Sequence, residues 1–165
     1  MANLVGSVFD SEEDTLKGRY LTFLTDHETF GIEIRYVMEI IGIQLITEMP
    51  EMPDYMKGII NLRGRIIPVM DIRIRFSKCP REYDDRTCVI VTNFKGIFMG
   101  FIVDSVSEVL TIPETNISDS PSMCAGDSLG YVNKIGKVNS NTVILLLDCG
   151  KLLNTDEYET MGGIL

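Results

Sequence analysis

The residue types and spacings that catalysis requires are sparse in this chain. His27 is the single histidine, so a nucleophile–histidine pair has little scope. Asp71 and Asp148 are matching carboxylates that each close an apolar run, and we interpret them as caps of a turn or helix rather than as acid–base catalysts. The sequence also contains neither a Gly-x-x-x-x-Gly-Lys-Ser/Thr phosphate loop nor a Gly-x-Ser-x-Gly elbow. It therefore favours a binding protein over an enzyme.

The cysteines do not form a pattern typical of a metal site. They lie at positions 79, 88, 124 and 149, without a Cys-x-x-Cys spacing, and His27 is far from all of them in sequence. We therefore expect no zinc site. Two disulfides are formally allowed, but the N-terminus shows no signal peptide and the core is large enough without them, so we expect reduced thiols and a cytoplasmic protein.

The charges are distributed unevenly. The net charge is −9, and both ends are acidic, so we expect residues 1–18 and 154–165 to be solvated arms around a body at 19–153. More than half of the fifteen basic residues lie close together in the middle of the chain, and they form either a solvated strand face or a surface for a carboxylate-rich partner. These residues are Lys57, Arg63, Arg65, Arg73, Arg75, Lys78, Arg81 and Arg86.

Two charges stand out because their neighbours are apolar. Arg63 sits beside Gly64 at a predicted turn between two apolar strands. Glu39 interrupts an apolar series that includes Val37 and Ile40. On physical grounds alone, Glu39 is equally well explained as the solvent-facing member of an alternating strand or as a charge at an interface.

These residues must be positioned by short strands, and the same pattern of strands occurs twice along the sequence. The segment Gly58–Gly64 is matched by Gly130–Gly136, and Phe30–Ile41 is matched by Met99–Leu110. Short glycine-bounded strands resemble one another in any case, but two matches in the same order favour an internal duplication. We expect residues 20–76 and 87–153 to superpose, with Gly58 on Gly130 and Gly31 on Gly100.

Turn residues every eight to twelve positions predict an all-β fold. A duplication of this size favours two small barrels, and because each would be marginal alone, they should share a hydrophobic core. Barrel borders need not follow sequence borders, since strands can cross between the two units. A helical turn is expected after Asp54, and a frayed helix is expected over 152–164.

The chain resembles the CheW family of chemotaxis coupling proteins. The resemblance rests on Tyr20–Phe23, Phe30–Ile32, Val37–Ile41, Lys57–Arg73 and Val103–Leu110, with Pro50 and Pro53 between them. Segment 120–129 does not follow the family pattern. The resemblance implies two five-stranded, SH3-like β-barrels on a common core. It also implies a free-standing adaptor that joins the cytoplasmic tips of methyl-accepting chemoreceptors to the regulatory domain of a CheA-type histidine kinase within receptor arrays.

The resemblance also implies roles for particular residues. No catalytic residue, cofactor, metal, nucleic acid or direct membrane contact is expected. Receptor contacts or groove-shaping positions are implied at Val37, Glu39, Gly58, Arg63, Gly64, Gly100, Val106 and Val109. Kinase contacts are implied at Ile46, Met49 and Asp71. The alternative function is a small β-barrel that binds nucleic acid through the basic residues of 57–86, which the negative net charge disfavours.

Overall fold

The structure is a computed structural model that describes residues 16–119 and 130–153. Short strands dominate it, as the alternation of apolar and polar residues predicts. The first half contains β1 (Arg19–Thr25), β2 (Glu28–Glu33), β3 (Val37–Gly42), β4 (Met56–Leu62) and β5 (Arg65–Asp71). The second half contains β6 (Cys88–Phe94), β7 (Ile97–Val103), β8 (Ser105–Thr111), β9 (Ile117–Asp119), β10 (Val132–Lys137) and β11 (Val143–Leu147).

Short helices follow or separate several strands. A four-residue α-helix follows each half, at Ile72–Arg75 and at Cys149–Leu152. Single 3-10 turns occupy Ile34–Tyr36 and Glu114–Asn116. None of the helices among the described residues has the length and apolar character that crossing a bilayer requires.

Two-residue turns with positive φ close the hairpins β1–β2, β4–β5 and β6–β7. The turn residues are Asp26–His27, Arg63–Gly64 and Lys95–Gly96, and all have φ between 51° and 85°. Positive φ at both central positions is the type I′ geometry, whose twist matches that of the flanking strands. The side chains of Asn61 and Asn93 accept hydrogen bonds from Gly64 N–H and Gly96 N–H at 2.9 and 3.0 Å. His27 is thus an exposed hairpin-tip residue.

The strands form two sheets, and each sheet combines strands of both halves. One sheet has the order β8-β1-β2-β11-β10-β9, and the other has the order β3-β6-β7-β5-β4. We take β1, β2, β3, β4 and β5 as equivalent to β6, β7, β8, β10 and β11, in that order. The order β8-β1-β2-β11-β10 in one sheet then corresponds to the order β3-β6-β7-β5-β4 in the other. Each sheet therefore takes a hairpin from one half of the chain and its remaining strands from the other half, which are three in the five-stranded sheet and four, including β9, in the six-stranded sheet.

The strand register confirms one of the two expected glycine matches and shows that the other is wrong. Gly31 pairs with Leu146 on β11, and Gly100 pairs with Val69 on β5, which are equivalent positions. Gly58 pairs with Val69 of β5, whereas the residue that pairs with Leu146 of β11 is Lys134. Gly130 precedes β10 altogether.

Two tyrosines give the correct alignment of the halves. The carbonyls of Tyr55 and Tyr131 accept hydrogen bonds from Asp71 N–H and Asp148 N–H, each at 2.8 Å. Tyr55 is therefore the counterpart of Tyr131, and Gly58 is the counterpart of Lys134. A register shift follows in both strands, at Met56/Gly58 and at Val132/Lys134.

Three apolar clusters form the core. One cluster lies within the β3-β6-β7-β5-β4 sheet and contains Ile60, Ile67, Val69, Val89, Val91 and Ile102. A smaller one lies against the other sheet and contains Tyr20, Ile112, Ile144 and Leu146. The largest joins the two sheets, with Phe23 and Phe30 from one side and Met99 and Phe101 from the other. This arrangement is two barrels on a shared core, as expected.

Some local predictions need correction. The residues after Asp54 form a turn, in which Met56 N–H bonds to the Pro53 carbonyl at 3.0 Å, and not a helix. A four-residue helix, Cys149–Leu152, is capped by Asp148 and precedes the helix expected over 152–164, which lies outside the described residues beyond Leu153. The connection after Pro113 contains β9, which adds a sixth strand to one sheet. Residues 1–15, 120–129 and 154–165, including the acidic ends, lie outside the described residues.

Candidate partner-binding surface

Glu39 and Arg63 form a bidentate ion pair at the open end of one barrel. Arg63 Nη1 donates to Glu39 Oε2 at 2.8 Å, and Nη2 donates to Oε1 at 2.5 Å. Glu39 lies on β3 and Arg63 follows β4, and these two strands are opposite edges of their sheet. The pair therefore joins the two edges across the barrel mouth. The Arg63 side chain is 74% exposed, so it also faces solvent.

The ion pair lies beside a small pocket. Met38, Leu62 and Phe98 form apolar walls, and the buried side chains of Ile67 and Val91 belong to the barrel's own core. Arg65 completes the lining, with its guanidinium 4.2 Å from the centroid of the Phe98 ring. The pocket thus combines an apolar interior with a charged rim.

The strands that line this pocket also carry exposed apolar side chains. β3 alternates between half-buried and exposed residues, so Met38 and Ile40 are largely exposed while Val37 and Glu39 are half-buried. Ile66, next to Arg65 on β5, is also exposed. Exposed apolar residues grouped around a charged pair are typical of protein-binding surfaces.

Gly58 lies apart from Glu39 and Arg63, against the segment between β3 and β4. Its φ is +141°, and a Cβ built there would lie 2.1 Å from the Thr47 carbonyl oxygen and 3.0 Å from the Ile46 side chain. Thr47 and Ile59 exchange two backbone hydrogen bonds of 2.9 Å. Gly58 therefore allows the segment 43–49 to pack onto β4.

The segment that Gly58 supports carries the most exposed large apolar residue among those the structure describes. Leu45 is 91% exposed, whereas Ile46 and Met49 are half-buried, and Ile46 packs against the cluster inside the barrel. Ile46 and Met49 were predicted as kinase contacts, whereas Leu45 was not.

Asp71 is an interior residue and does not lie on this surface. It is 3% exposed. Its Oδ1 accepts from Arg73 N–H at 2.9 Å, and its Oδ2 accepts from the Tyr83 hydroxyl at 2.8 Å. Burial first, and then the Asp71 carboxylate, raise the pKa of Tyr83 above its usual value. Asp148 caps the second helix in the same way, through Gly150 N–H at 2.9 Å, so both capping predictions are confirmed.

The remaining predicted residues are distributed over both barrels. Gly64 completes the exposed turn with Arg63. Gly100 is buried between Val69 and Val89, so it shapes the barrel and does not reach its surface. Val106 and Val109 lie on β8, which pairs with β1 in the other sheet. Val106 is half-buried and Val109 is exposed, and they occupy the positions equivalent to Val37 and Ile40.

The basic residues of 57–86 do not form one surface. Arg63 pairs with Glu39, Lys78 pairs with Glu28 at 2.9 Å, and Arg81 pairs with Asp84 at 3.1 Å. Because these charges are neutralised within the chain, the nucleic-acid alternative is not supported.

Arg73 and Asp104 form an internal ionic cluster that was not predicted from the sequence. Arg73 Nε and Nη2 donate to Asp104 at 2.8 Å, and Asp104 also accepts from Asp26 N–H at 3.0 Å. Asp104 lies between β7 and β8, where the chain passes from one sheet to the other, while Asp26 lies at the β1–β2 tip. The sequence marked Asp104 within a family motif, but it does not show that residues so far apart meet.

Burial and hydrogen bonding act in opposite directions on the pKa of Asp104. Burial raises it, but the hydrogen bonds from Arg73 and from Asp26 N–H, with the charges of Arg73 and Arg81, outweigh burial and hold it below its usual value. The carboxylate is therefore stabilised in its charged form.

The described cysteines and acidic residues give no sign of redox or metal chemistry. Cys79, Cys88 and Cys149 are free thiols. Burial raises the pKa of the Cys149 thiol to about 12, so this thiol stays protonated and unreactive. Within residues 16–119 and 130–153, no group of three His, Cys, Asp or Glu side chains is placed to hold a metal ion.

The fold and the surface define a class of protein: a double β-barrel with an exposed surface that is both charged and apolar. A family model described as "CheW-like domain" matches residues 19–157. The chain is 35% identical to the chemotaxis protein CheW of Klebsiella aerogenes, over 92% of this chain and 90% of the relative. It is 28% identical to the chemotaxis protein CheW of Bacillus subtilis, over 86% and 90%.

A solved structure shows the same fold. The crystal structure of the scaffolding protein TtCheW from Thermoanaerobacter tengcongensis superposes with a TM-score of 0.74 at 34% identity, covering 79% of this chain and 88% of that one. The chain belongs to the CheW family of chemotaxis adaptor proteins.

Proposed function

We propose that this protein couples the cytoplasmic tips of chemoreceptors to the regulatory domain of a CheA-type histidine kinase, without catalysing a reaction itself. Its place would be in the cytoplasm, within arrays of membrane-bound receptors. The observation that carries the proposal is the Glu39–Arg63 pair at a barrel mouth bordered by exposed apolar residues. The CheW-family membership of the chain supports the choice of partners.

The receptor side of the proposal uses the barrel mouth. Glu39, Arg63 and Gly64 form it, with Met38 and Ile40 as exposed apolar contacts, while Val37 begins the same strand and packs against the core between the sheets. An amphipathic helix of the receptor is expected to place its apolar face there, because a groove with apolar anchors and a few charges suits such a helix. Val106 and Val109 remain candidates for a second contact region, and Gly58 and Gly100 act on the shape of the barrel.

The kinase side of the proposal uses the segment between β3 and β4. Leu45 provides the exposed apolar contact, Ile46 holds the segment onto the barrel, and the half-buried Met49 lies further along the same segment. The backbone bridge between Thr47 and Ile59 fixes its position. The two partners would then meet different parts of one barrel, which an adaptor requires.

The first prediction concerns the ion pair. Glu39→Lys and Arg63→Glu should each weaken binding of a chemoreceptor signalling fragment at least about tenfold, because each brings like charges together at the contact. Binding of the kinase regulatory domain should stay unchanged. Calorimetric titration of each variant against each partner measures both effects.

A charge-swapped double variant separates the two roles of the pair. Glu39→Arg combined with Arg63→Glu restores an ion pair across the barrel mouth but reverses the charges that the receptor meets. We expect receptor binding to remain weak in this variant. Recovery of wild-type affinity would mean that the pair only closes the barrel, and wild-type affinity in both single variants would refute the receptor assignment.

A further inference from the structure

Arg65 is the charged residue of the barrel mouth that has no ionic partner. Arg63, two residues earlier, is held by both oxygens of Glu39. Arg65 is exposed, and within residues 16–119 and 130–153 it forms no ion pair; its contact is the ring of Phe98, 4.2 Å away. The barrel mouth carries two positive charges, Arg63 and Arg65, and one negative charge, Glu39, whose two oxygens are both engaged by Arg63. The mouth is therefore locally positive, although the net charge of the chain is −9.

The stacking on Phe98 prepares Arg65 to bind an anion. An arginine that lies over an aromatic ring uses the flat face of its guanidinium, while its five N–H groups lie in the plane and stay available. The ring also limits the orientations of a long, flexible side chain, which reduces the entropy lost when the N–H groups bind a partner. A carboxylate fits this planar fork with two parallel hydrogen bonds.

Arg65 lines the apolar pocket together with Met38, Leu62 and Phe98. The guanidinium group and the pocket therefore form one site. A partner that fills it needs an apolar side chain for the pocket and a carboxylate for the arginine. On one face of a helix, two such residues lie three or four positions apart.

We infer that Arg65 selects a partner helix in which an Asp or Glu lies three or four residues from an apolar residue that enters the pocket between Met38, Leu62 and Phe98. The inference rests on the proposed receptor contact and adds to it the chemistry of the helix. Arg65 is at the rim, so it acts mainly on the association rate and its salt dependence.

The test is titration of the full chain and its variants with a soluble chemoreceptor signalling fragment at low and at high salt. We expect Arg65→Glu to weaken binding about tenfold at low salt, and much less at high salt, where exposed charges are screened. Arg65→Lys keeps the charge but loses the planar fork, so it should fall between wild type and Arg65→Glu. The matched control is Arg86→Glu, which makes the same charge change at an exposed arginine outside the pocket lining.

The outcomes separate the two claims. If the wild-type chain binds the fragment and Arg65→Glu binds equally well, or Arg86→Glu weakens binding as much, the inference about Arg65 is refuted while the proposed function stands. If the wild-type chain does not bind the fragment, the proposed function is refuted, and the inference with it. The strongest support would be a receptor variant, with one acidic residue changed to Lys, that restores binding to Arg65→Glu.

Discussion

Gly58 shows how a single residue controls the position of a whole segment. Its φ of +141° is a conformation that residues with a Cβ rarely adopt, and a Cβ would lie 2.1 Å from the Thr47 carbonyl oxygen. The backbone atoms at this contact hold the segment that carries Leu45. Glycine is therefore required here for close approach of two backbone segments and not only for flexibility.

The second prediction follows from this contact. Gly58→Ala should lower the free energy of unfolding by more than about 2 kcal/mol, because backbone strain and the clash with Thr47 add together. Gly42→Ala is the matched control, since nothing lies within 4 Å of its Cβ position, and it should change stability by less than about 0.5 kcal/mol. Urea unfolding measures both, and equal stabilities of the two variants would contradict the role given to Gly58.

The candidate site was partly predictable at the level of residues. Glu39 and Arg63 were recognisable because each is a charge among apolar neighbours. Their mutual pairing was not, because they lie on opposite edges of a sheet whose strand order is unknown from sequence. Leu45 was missed because an exposed leucine in an irregular segment looks like any other apolar residue.

The ionic cluster around Asp104 joins four structural elements. It connects the β7–β8 junction, the β1–β2 tip, the helix Ile72–Arg75 and the loop after it, where the Cys79 carbonyl accepts from Arg73 at 2.9 Å. Arg73 and Asp104 are 11% and 17% exposed, so solvent screens their attraction only weakly. The cluster therefore fixes the position of the β1–β2 hairpin of one sheet relative to the end of β7 in the other sheet.

The third prediction concerns the pH dependence of this cluster. Asp104→Asn should lower the free energy of unfolding at neutral pH by about 2–3 kcal/mol, because it leaves the charge of Arg73 largely buried and without its main partner. The pKa of Asp104 is lower in the folded than in the unfolded state, so its stabilisation is present above the unfolded value of about 3.9 and is lost as the pH falls through the folded value.

The measurement is urea unfolding of wild type and Asp104→Asn from pH 7 downward. We expect a constant difference above about pH 5, which shrinks below about pH 4. Asp85→Asn, at an exposed aspartate, is the control and should follow wild type throughout. A difference that persists unchanged at the lowest pH would contradict the assignment.

Most elements were predictable from the sequence because turn residues mark their ends. The pair Arg63–Gly64 indicated the β4–β5 hairpin directly. The alignment of β4 with β10 failed because matching glycines was given more weight than the pairs Tyr55/Tyr131 and Ile59/Ile135, which the register supports. A glycine in a strand serves a local contact, such as that of Gly58 with Thr47, and the other half need not share it.

At the scale of the whole molecule, the two halves depend on each other. Each sheet contains strands from both, and the largest apolar cluster lies between the sheets. A unit of about 60 residues buries little surface alone, which makes a shared core necessary for stability. Duplication and barrels were predictable from the repeated pattern, but the distribution of strands between barrels was not, since periodicity does not report which strands pair.

The fourth prediction concerns the acidic ends. Removing residues 1–17 and 155–165 should change the melting temperature by only a few degrees, corresponding to less than about 1 kcal/mol. The ends should contribute little to stability because charged segments bury little apolar surface. Their acidic residues are Asp10, Glu12, Glu13, Asp14, Asp156, Glu157 and Glu159. A large decrease in melting temperature would show that at least one end packs on the body.

The central claim, that this chain holds a receptor and a kinase at once on separate surfaces, is tested most directly by a bridging measurement. A chemoreceptor signalling fragment is immobilised, and retention of the kinase regulatory domain is measured with and without the chain. We predict retention only when the chain is present, with Arg63→Glu losing both the chain and the kinase domain, and Leu45→Ser losing the kinase domain alone. Competition between the two partners for the wild-type chain would contradict the claim.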